Sequence, residues 1–471
     1  MVRPNPRLIA MAGGFALLCV LVAGVAGYWR YANQLPVYPT PSVVMPVPNA
    51  YDDYVAAGQM CQAVGGAEIP AAPTPLPAAP FPVAGSAPTG NSGGSLGFFG
   101  APPEQYLGTS GGPYGSPGGP PGPPASSYRP PLQAYDPGVP LAQVRAVVRR
   151  NRPALARLRR GFRKQYRSPP AVSFNQLFPE LPQFRALARV LATEGKLAER
   201  YGRPNDAAHS YLDCLRLGTD IPRGGAMIHG NVGIAIQNIG LLPLQEAADR
   251  LDGPTAAAAA REMVRLDAHA PPVAETLANE KEAMTASLLG MFRQPRSWRQ
   301  LMSGGSFDDE GGLFDLLISL TPKRWALDHI RGYMDALIAG SRQPYYTQPA
   351  PPPIPNDLLS QMLLPVFDQT LKWDVRDAQW RITELRLAVR AYEQQHGAPP
   401  PSLDALVPAY LPAVPQDPFA PKPLVYRRTP TGALVYSRGP DGKDDGGRDL
   451  GSRVNPDSRG DVVTMGAPNN R

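Results

Sequence analysis

Apolar positions along the chain follow several distinct patterns. One is continuous: Leu8 to Trp29 carries no charged side chain. At about 1.5 Å rise per residue, a helix of that length crosses a bilayer core of roughly 30 Å. Another is helical, with apolar residues returning every three or four positions. Tyr51, Tyr54, Val55 and Gly58 share one face of a helix that Asn49 caps and that runs to about Ala63. Leu155, Leu158 and Phe162 form the apolar stripe of Leu141–Arg167, read as a helix pair. Phe184, Leu187, Val190, Leu191, Leu197 and Tyr201 repeat through one arm of a hairpin within Leu181–Gly218. Ala207, Ala208, Tyr211, Cys214, Leu215 and Leu217 repeat through the other, across the turn Gly202-Arg203-Pro204-Asn205. Met227–Arg250 is helical, and its Gly230, Gly233 and Gly240 allow close helix crossing. Further helices are expected over Thr255–Ala268, Val273–Arg293, Pro322–Ala339 and Leu358–Gln395, the last broken at Pro365. In it Ile382, Leu385, Ala388, Val389 and Tyr392 form one face, and Arg376, Arg386 and Arg390 help to cover the rest. Leu424–Arg428 and Ala433–Ser437 read as short strands around a turn at Thr429–Gly432, with Asp461–Met465 as a last strand on the sheet.

Composition separates ordered from disordered parts. The chain holds 59 prolines and 47 glycines, and they are concentrated between about 65 and 140, where no apolar period survives. Such a stretch buries too little apolar surface to offset its chain entropy. No glycine recurs strictly at every third position, which excludes collagen. The predicted organisation is an anchor at 1–30, a helical domain at 31–342 with the disordered insert at about 65–140, a linker at 343–356 and a C-terminal unit at 357–471. The fold class is α+β and mostly α: a transmembrane helix, a helical bundle and a small antiparallel sheet packed on a helix. Arg3 and Arg7 precede the apolar run and Arg30 follows it, favouring a cytoplasmic N-terminus and an exported body. A cleavable signal ending at Gly24-Val25-Ala26 is the alternative. Cys19, Cys61 and Cys214 are too few and scattered for a disulfide framework; unpaired, buried thiols are expected, with Cys61–Cys214 as the one conceivable pair.

Net charge is +7, and much of the excess lies in Leu141–Arg167, which has no acidic residue. Arg157, Arg159, Arg160 and Arg163 are its candidate contacts to an anionic envelope polymer or lipid headgroup. An exported topology removes nucleic acid from reach. His209, His229, His269, His329 and His396 stand at no metal-ligand spacing, and no phosphate loop or nucleophile elbow occurs. Glu280 and Glu282, and the loop Ser306–Gly312 with Asp308, Asp309 and Glu310, read as solvated.

The hairpin, with Tyr201 and Gly202 before its turn, Ala207 and Ala208 at the crossing and Tyr211 beyond, resembles one tetratricopeptide unit. The last 90 or so residues are similar to the globular region of type II secretion major pseudopilins. The residues that carry this are Tyr392, Gly397, Pro400, Leu403, Leu406, Asp417-Pro418-Phe419, Tyr426, Tyr436-Ser437 and Gly439-Pro440-Asp441-Gly442. That resemblance implies a long helix on a small antiparallel sheet, followed by a loop that holds calcium through Asp441, Asp444 and Asp445. The whole layout also resembles uncharacterised envelope proteins of planctomycete-type bacteria. Together these imply a non-enzymatic scaffold or assembly protein, single-pass in the inner membrane, with its bulk on the extracytoplasmic side and a protein partner. The alternatives are a subunit of a secretion or pilus-like apparatus, processed after Gly14, and a polymer- or lipid-binding protein acting through 141–167.

Overall fold

The computed structural model describes residues 6–38, 43–62, 139–171, 176–293, 321–364, 370–430, 432–451 and 454–464. Most of the expected insert, the loop 306–312, Pro365 and Met465 lie outside them. The described chain is mostly helical with a two-stranded antiparallel sheet, as expected. The helices are α1 (Pro6–Ala32), α2 (Ala50–Met60), α3 (Leu141–Gly161), α4 (Glu180–Arg200), α5 (Pro204–Asp220), α6 (Met227–Ala247), α7 (Gly253–His269), α8 (Val273–Arg293), α9 (Lys323–Gly340), α10 (Leu358–Leu363) and α11 (Thr370–His396). Strands β1 (Val425–Thr429) and β2 (Gly432–Tyr436) pair from Val425 opposite Tyr436 to Thr429 opposite Gly432.

α1 forms where the uncharged run predicts a helix. Its described side chains, at Phe15 and from 17 onward, include exposed Leu17, Leu18, Val20, Leu21, Val22 and Val25. Among the described residues no helix is long and apolar enough to cross a membrane. Positions 8–14 and 16 of the expected span lie outside the residues whose side chains are described.

The first core joins the two sides of the insert. Asn49 caps α2 by accepting from Tyr51 N (3.1 Å), and its amide nitrogen donates to Arg167 O (2.8 Å) beyond α3. Tyr54 is fully buried, stacks on Tyr166 with ring centres 5.1 Å apart and meets Phe162 edge-on. Its hydroxyl donates to Asp220 on α5 at 2.5 Å. Leu155, Leu158, Phe184, Leu187 and Leu191 complete this core. Cys61 and Cys214 are both buried and free. The expected helix pair at 141–167 is instead the single helix α3, with Pro153 inside it. Asn151 braces the turn ahead of that proline, its amide donating to Val147 O (3.0 Å) and to Gln62 O (3.1 Å).

The hairpin α4–α5 and helix α6 cross where side chains vanish. A Cβ on Gly218 would lie 2.7 Å from Gly233 O, and one on Gly240 would lie 2.6 Å from Cys214 Cβ. On Gly195 a Cβ would run into the Tyr211 ring at 2.3 Å. The glycines of α6 therefore serve the crossing expected of them, and Gly195 and Gly218 add two the pattern does not single out.

The linker at 343–356 is not a boundary of packing. One apolar cluster runs from Tyr211, Leu244, Ala256 and Met263 of the helical body to Trp380, Leu385, Phe419 and Val435 beyond it. The cause is α11, which buries more than the one face expected. Besides Ile382, Leu385, Ala388 and Val389, it buries Ala378, Trp380, Leu387 and Ala391, packing along α7 and against α6 as well as under β2. Arg386 pairs with Asp249 at 3.2 Å and Arg390 donates to Leu251 O at 3.0 Å, so these arginines bind α11 to the body. Gly397 ends α11 with φ +74°, as its place after His396 predicts.

Close approach at the glycines predicts opposite outcomes at two helix positions. Gly218→Ala forces a methyl group into the α5–α6 crossing and costs about 1–3 kcal/mol in urea unfolding. Gly332→Ala on α9, where a Cβ meets nothing within 4 Å, gains up to about 1 kcal/mol from helix propensity.

Candidate functional site: a basic helix, an aspartate-rich loop and an acidic seam

The cations of α3 divide into two sets. Arg157 Nε lies 2.6 Å from Asp53 of α2, a buried carboxylate that Lys164 also contacts. Arg159 Nε donates to Asp213 of α5 at 2.7 Å, and its terminal nitrogen to Glu194 of α4 at 2.5 Å. Burial works against the Arg159 charge, but Glu194 and Asp213 outweigh it and hold the guanidinium firmly protonated. Burial pushes the Asp213 carboxyl up, and Arg159 offsets that only in part. Arg157 and Arg159 are therefore half-exposed braces that knit α3 to α2, α4 and α5. Their partners lie far away in sequence, which is why the stretch reads as wholly basic.

Arg160 and Arg163 belong to the second set, with Arg145, Arg149 and Arg152: all are exposed, and among the described residues no carboxylate pairs with them. Positions 145, 149, 152 and 160 return at helical spacing, so they share one face of α3. The structure thus separates the four predicted contacts: Arg157 and Arg159 pair with carboxylates of neighbouring helices, whereas Arg160, on the outward stripe, and Arg163, just past the end of α3, are exposed.

The aspartate-rich loop is organised from within. Asp444 accepts from Tyr436 Oη (2.7 Å), from Gly446 N (3.0 Å) and from Arg427 (2.8 Å); the Tyr436 bond comes first among the causes that hold its carboxyl below the usual range. Asp441 accepts from Lys443 N at 3.1 Å, and Asp445 lies 3.7 Å from Arg448. These three carboxylates, the calcium ligands implied by resemblance, do not converge. Among the described residues no group of three His, Cys, Asp or Glu side chains is placed to hold a metal ion. Asp461, which spacing does not single out, is the buried centre of the loop. It accepts from Gly447 N (2.6 Å) and Asp445 N (3.2 Å), and burial pushes its carboxyl up. The last strand reduces to single bridges, Ser437 with Val462 and Asp449 with Asp461. Asp417 has a matching role at the start of the strand pair. Wholly enclosed, it accepts from Phe419 N (3.0 Å), Ser437 Oγ (2.7 Å) and Arg438 N (3.0 Å). Its Asx turn is legible in Asp417-Pro418-Phe419; its reach to the end of β2 is not.

A third cluster lies between α7 and α11, and sequence reasoning missed it. Asp374, Asp377, Arg381 and Glu384 fall on one face of α11, beside Asp267 of α7. Arg376 lies 3.0 Å from Asp377 and 3.8 Å from Asp267, with its guanidinium 5.6 Å over Trp380. Burial first, then the charge of Asp267, push the Glu384 carboxyl up to about 8. Burial and then Asp377 push Asp374 up to about 7. A groove of about 510 Å³ opens beside the hairpin, lined by His209, Leu212 and Asp213 of α5 and by Pro254, Thr255 and Glu262 of α7. No protein-family model, curated protein or solved structure matches the chain.

Two outcomes test these assignments. Arg159→Ala leaves Glu194 and Asp213 without their cation and costs about 1–2 kcal/mol after solvent screening. Arg160→Ala and Arg163→Ala stay within roughly 0.5 kcal/mol of the parent in the same denaturation series. The acidic seam sets a pH dependence. An unfolded chain releases the Glu384 proton from its ordinary value of 4.5, whereas the folded chain keeps it up to about 8. Stability contributed by this group is therefore whole below about 4.5 and is lost as pH rises towards 8. Glu384→Gln should flatten that fall, read as melting temperature between acid and mildly alkaline buffer; a parent whose melting temperature does not decline across the range contradicts the assignment.

Proposed function

We propose that this protein is a membrane-anchored, non-enzymatic scaffold of the cell envelope. α1 holds it in the inner membrane, and its helical body and C-terminal module stand on the extracytoplasmic side as a docking surface for a protein partner. One observation carries the reading. Every side chain of α1 from Leu17 to Tyr31 is exposed, on all faces of the helix, Leu17, Leu18, Val20, Leu21, Val22 and Val25 among them. A helix apolar all round is buried either in a large core or in lipid. The uncharged sequence run from Leu8 to Trp29 has the length a bilayer requires. Arg3 and Arg7 ahead of it favour export of the chain beyond α1. The continuous core from hairpin to sheet supports a rigid body, and the groove between α5 and α7 offers a partner a concave surface.

The exposed cations of α3 and of the turn just after it favour a second contact within the same reading, to an anionic envelope polymer or headgroup. Arg145, Arg149, Arg152, Arg160 and Arg163 are the cations for it, and Arg157 and Arg159 are not.

Cell fractionation and binding test both. The full chain stays with membranes through high-salt and alkaline washing, and a chain beginning at Asn33 is released; recovery of the full chain in the soluble fraction rejects the anchor. In detergent, replacing Arg149, Arg160 and Arg163 with Ser weakens binding to dextran sulfate on the order of a hundredfold at low salt, at about 1 kcal/mol per cation. The difference shrinks as salt is added.

A further inference from the structure

The chain that leaves α1 runs beside α9 in a defined direction. Arg324, in the first turn of α9, places its guanidinium 4.4 Å over the Tyr31 ring at the end of α1. Seven residues further along both segments, Arg331 stands 4.2 Å over Tyr38, and the Tyr38 hydroxyl donates to Asp328 at 3.3 Å. Residues 31–38 and α9 therefore advance side by side and in the same sense. The level at which α1 ends is the level at which α9 begins. Ala32 is buried in this contact region, and Leu35 and Tyr38 pack on the core formed by α8, α9 and α10.

The side chains gathered at that level have a common chemistry. Trp325 is 40% exposed in the first turn of α9, with the His329 ring packed on it at 4.0 Å. Tyr28, Trp29 and Tyr31 are exposed around the end of α1. Lys323 and Arg324 precede Trp325 directly. Indole and phenol rings with cations beside them match a bilayer boundary, where the rings sit at headgroup depth and the cations meet lipid phosphate.

Resting on the reading of α1 as a membrane helix, we propose that the first turn of α9 is a second membrane contact. Trp325 sits at the headgroup–acyl boundary and Lys323 faces lipid phosphates, while Arg324 stays over Tyr31 and 4.0 Å from Asp328. The occupant is lipid rather than protein because this surface continues directly from α1, with Arg324 lying against Tyr31 at the end of that helix. Two contacts on separate elements fix the tilt of the body, so that it does not swing freely on its tether.

Tryptophan quenching by lipids brominated near the headgroup end of their acyl chains separates this contact from the anchor. The full chain is reconstituted into phosphatidylcholine–phosphatidylglycerol vesicles in a Trp298→Phe background. Trp373 and Trp380 are buried in the body and stay bright. Adding Trp29→Phe leaves Trp325 to report on α9; adding Trp325→Phe instead leaves Trp29 to report on α1. Each variant should lose roughly a third of its emission in brominated lipid, one of its three remaining indoles lying at the interface. Quenching with Trp29 present but not with Trp325 alone overturns the second contact and leaves the anchor standing. Quenching in neither variant removes the anchor, and the contact falls with it.

Discussion

Burial of more than one face of α11 is the constraint on which the architecture rests. A helix that hides only one stripe can carry a module on a flexible joint. This one hides Leu385, Ala388 and Val389 together with Ala378, Trp380 and Ala391, so both of its sides need partners. α7 and α6 supply one side, and β2 with the segment around Phe419 supplies the other. Removing an enclosed tryptophan such as Trp380 costs about 3–5 kcal/mol in comparable cores, a large fraction of a domain's total stability. The sheet is thus held by the same apolar cluster as the hairpin, and a load on one reaches the other.

Charge works in the same direction in one place and against it in another. Asp53, Glu194 and Asp213 draw Arg157, Arg159 and Lys164 inward, turning a strip that is basic in sequence into a brace between four helices. The α7–α11 seam does the reverse, crowding carboxyls where burial disfavours their ionisation. Ion pairs thus hold one side of the body together, and carboxyls whose ionisation burial disfavours line the other.

The aspartate loop shows how a motif and its physics diverge. Asp441, Asp444 and Asp445 cluster in sequence and look outward for a cation. In the fold Asp444 is occupied by Tyr436 and Arg427, and the loop winds on Asp461, which comes from further along the chain. Gly447, at φ +85°, puts its N–H where a carboxylate can take it. Buried carboxylates that accept backbone N–H groups give such a loop its shape.

The residues alone determined most helices, their caps, the hairpin turn, the paired strands and the stop at Gly397, because each follows from interactions within a few positions of the chain. The capping of α2 by Asn49 and the turn at Pro204 act locally, and their neighbours announce them. Tertiary structure decided whatever depends on distant partners: the pairing of Arg159 with α4 and α5, the central place of Asp461, the acidic seam, and the continuity of the core across 343–356. A carboxylate 54 positions from its guanidinium, or an apolar face whose cover comes from another helix, leaves no period or spacing in sequence. Only the folded path brings such groups within the few ångströms at which Coulomb and packing forces act.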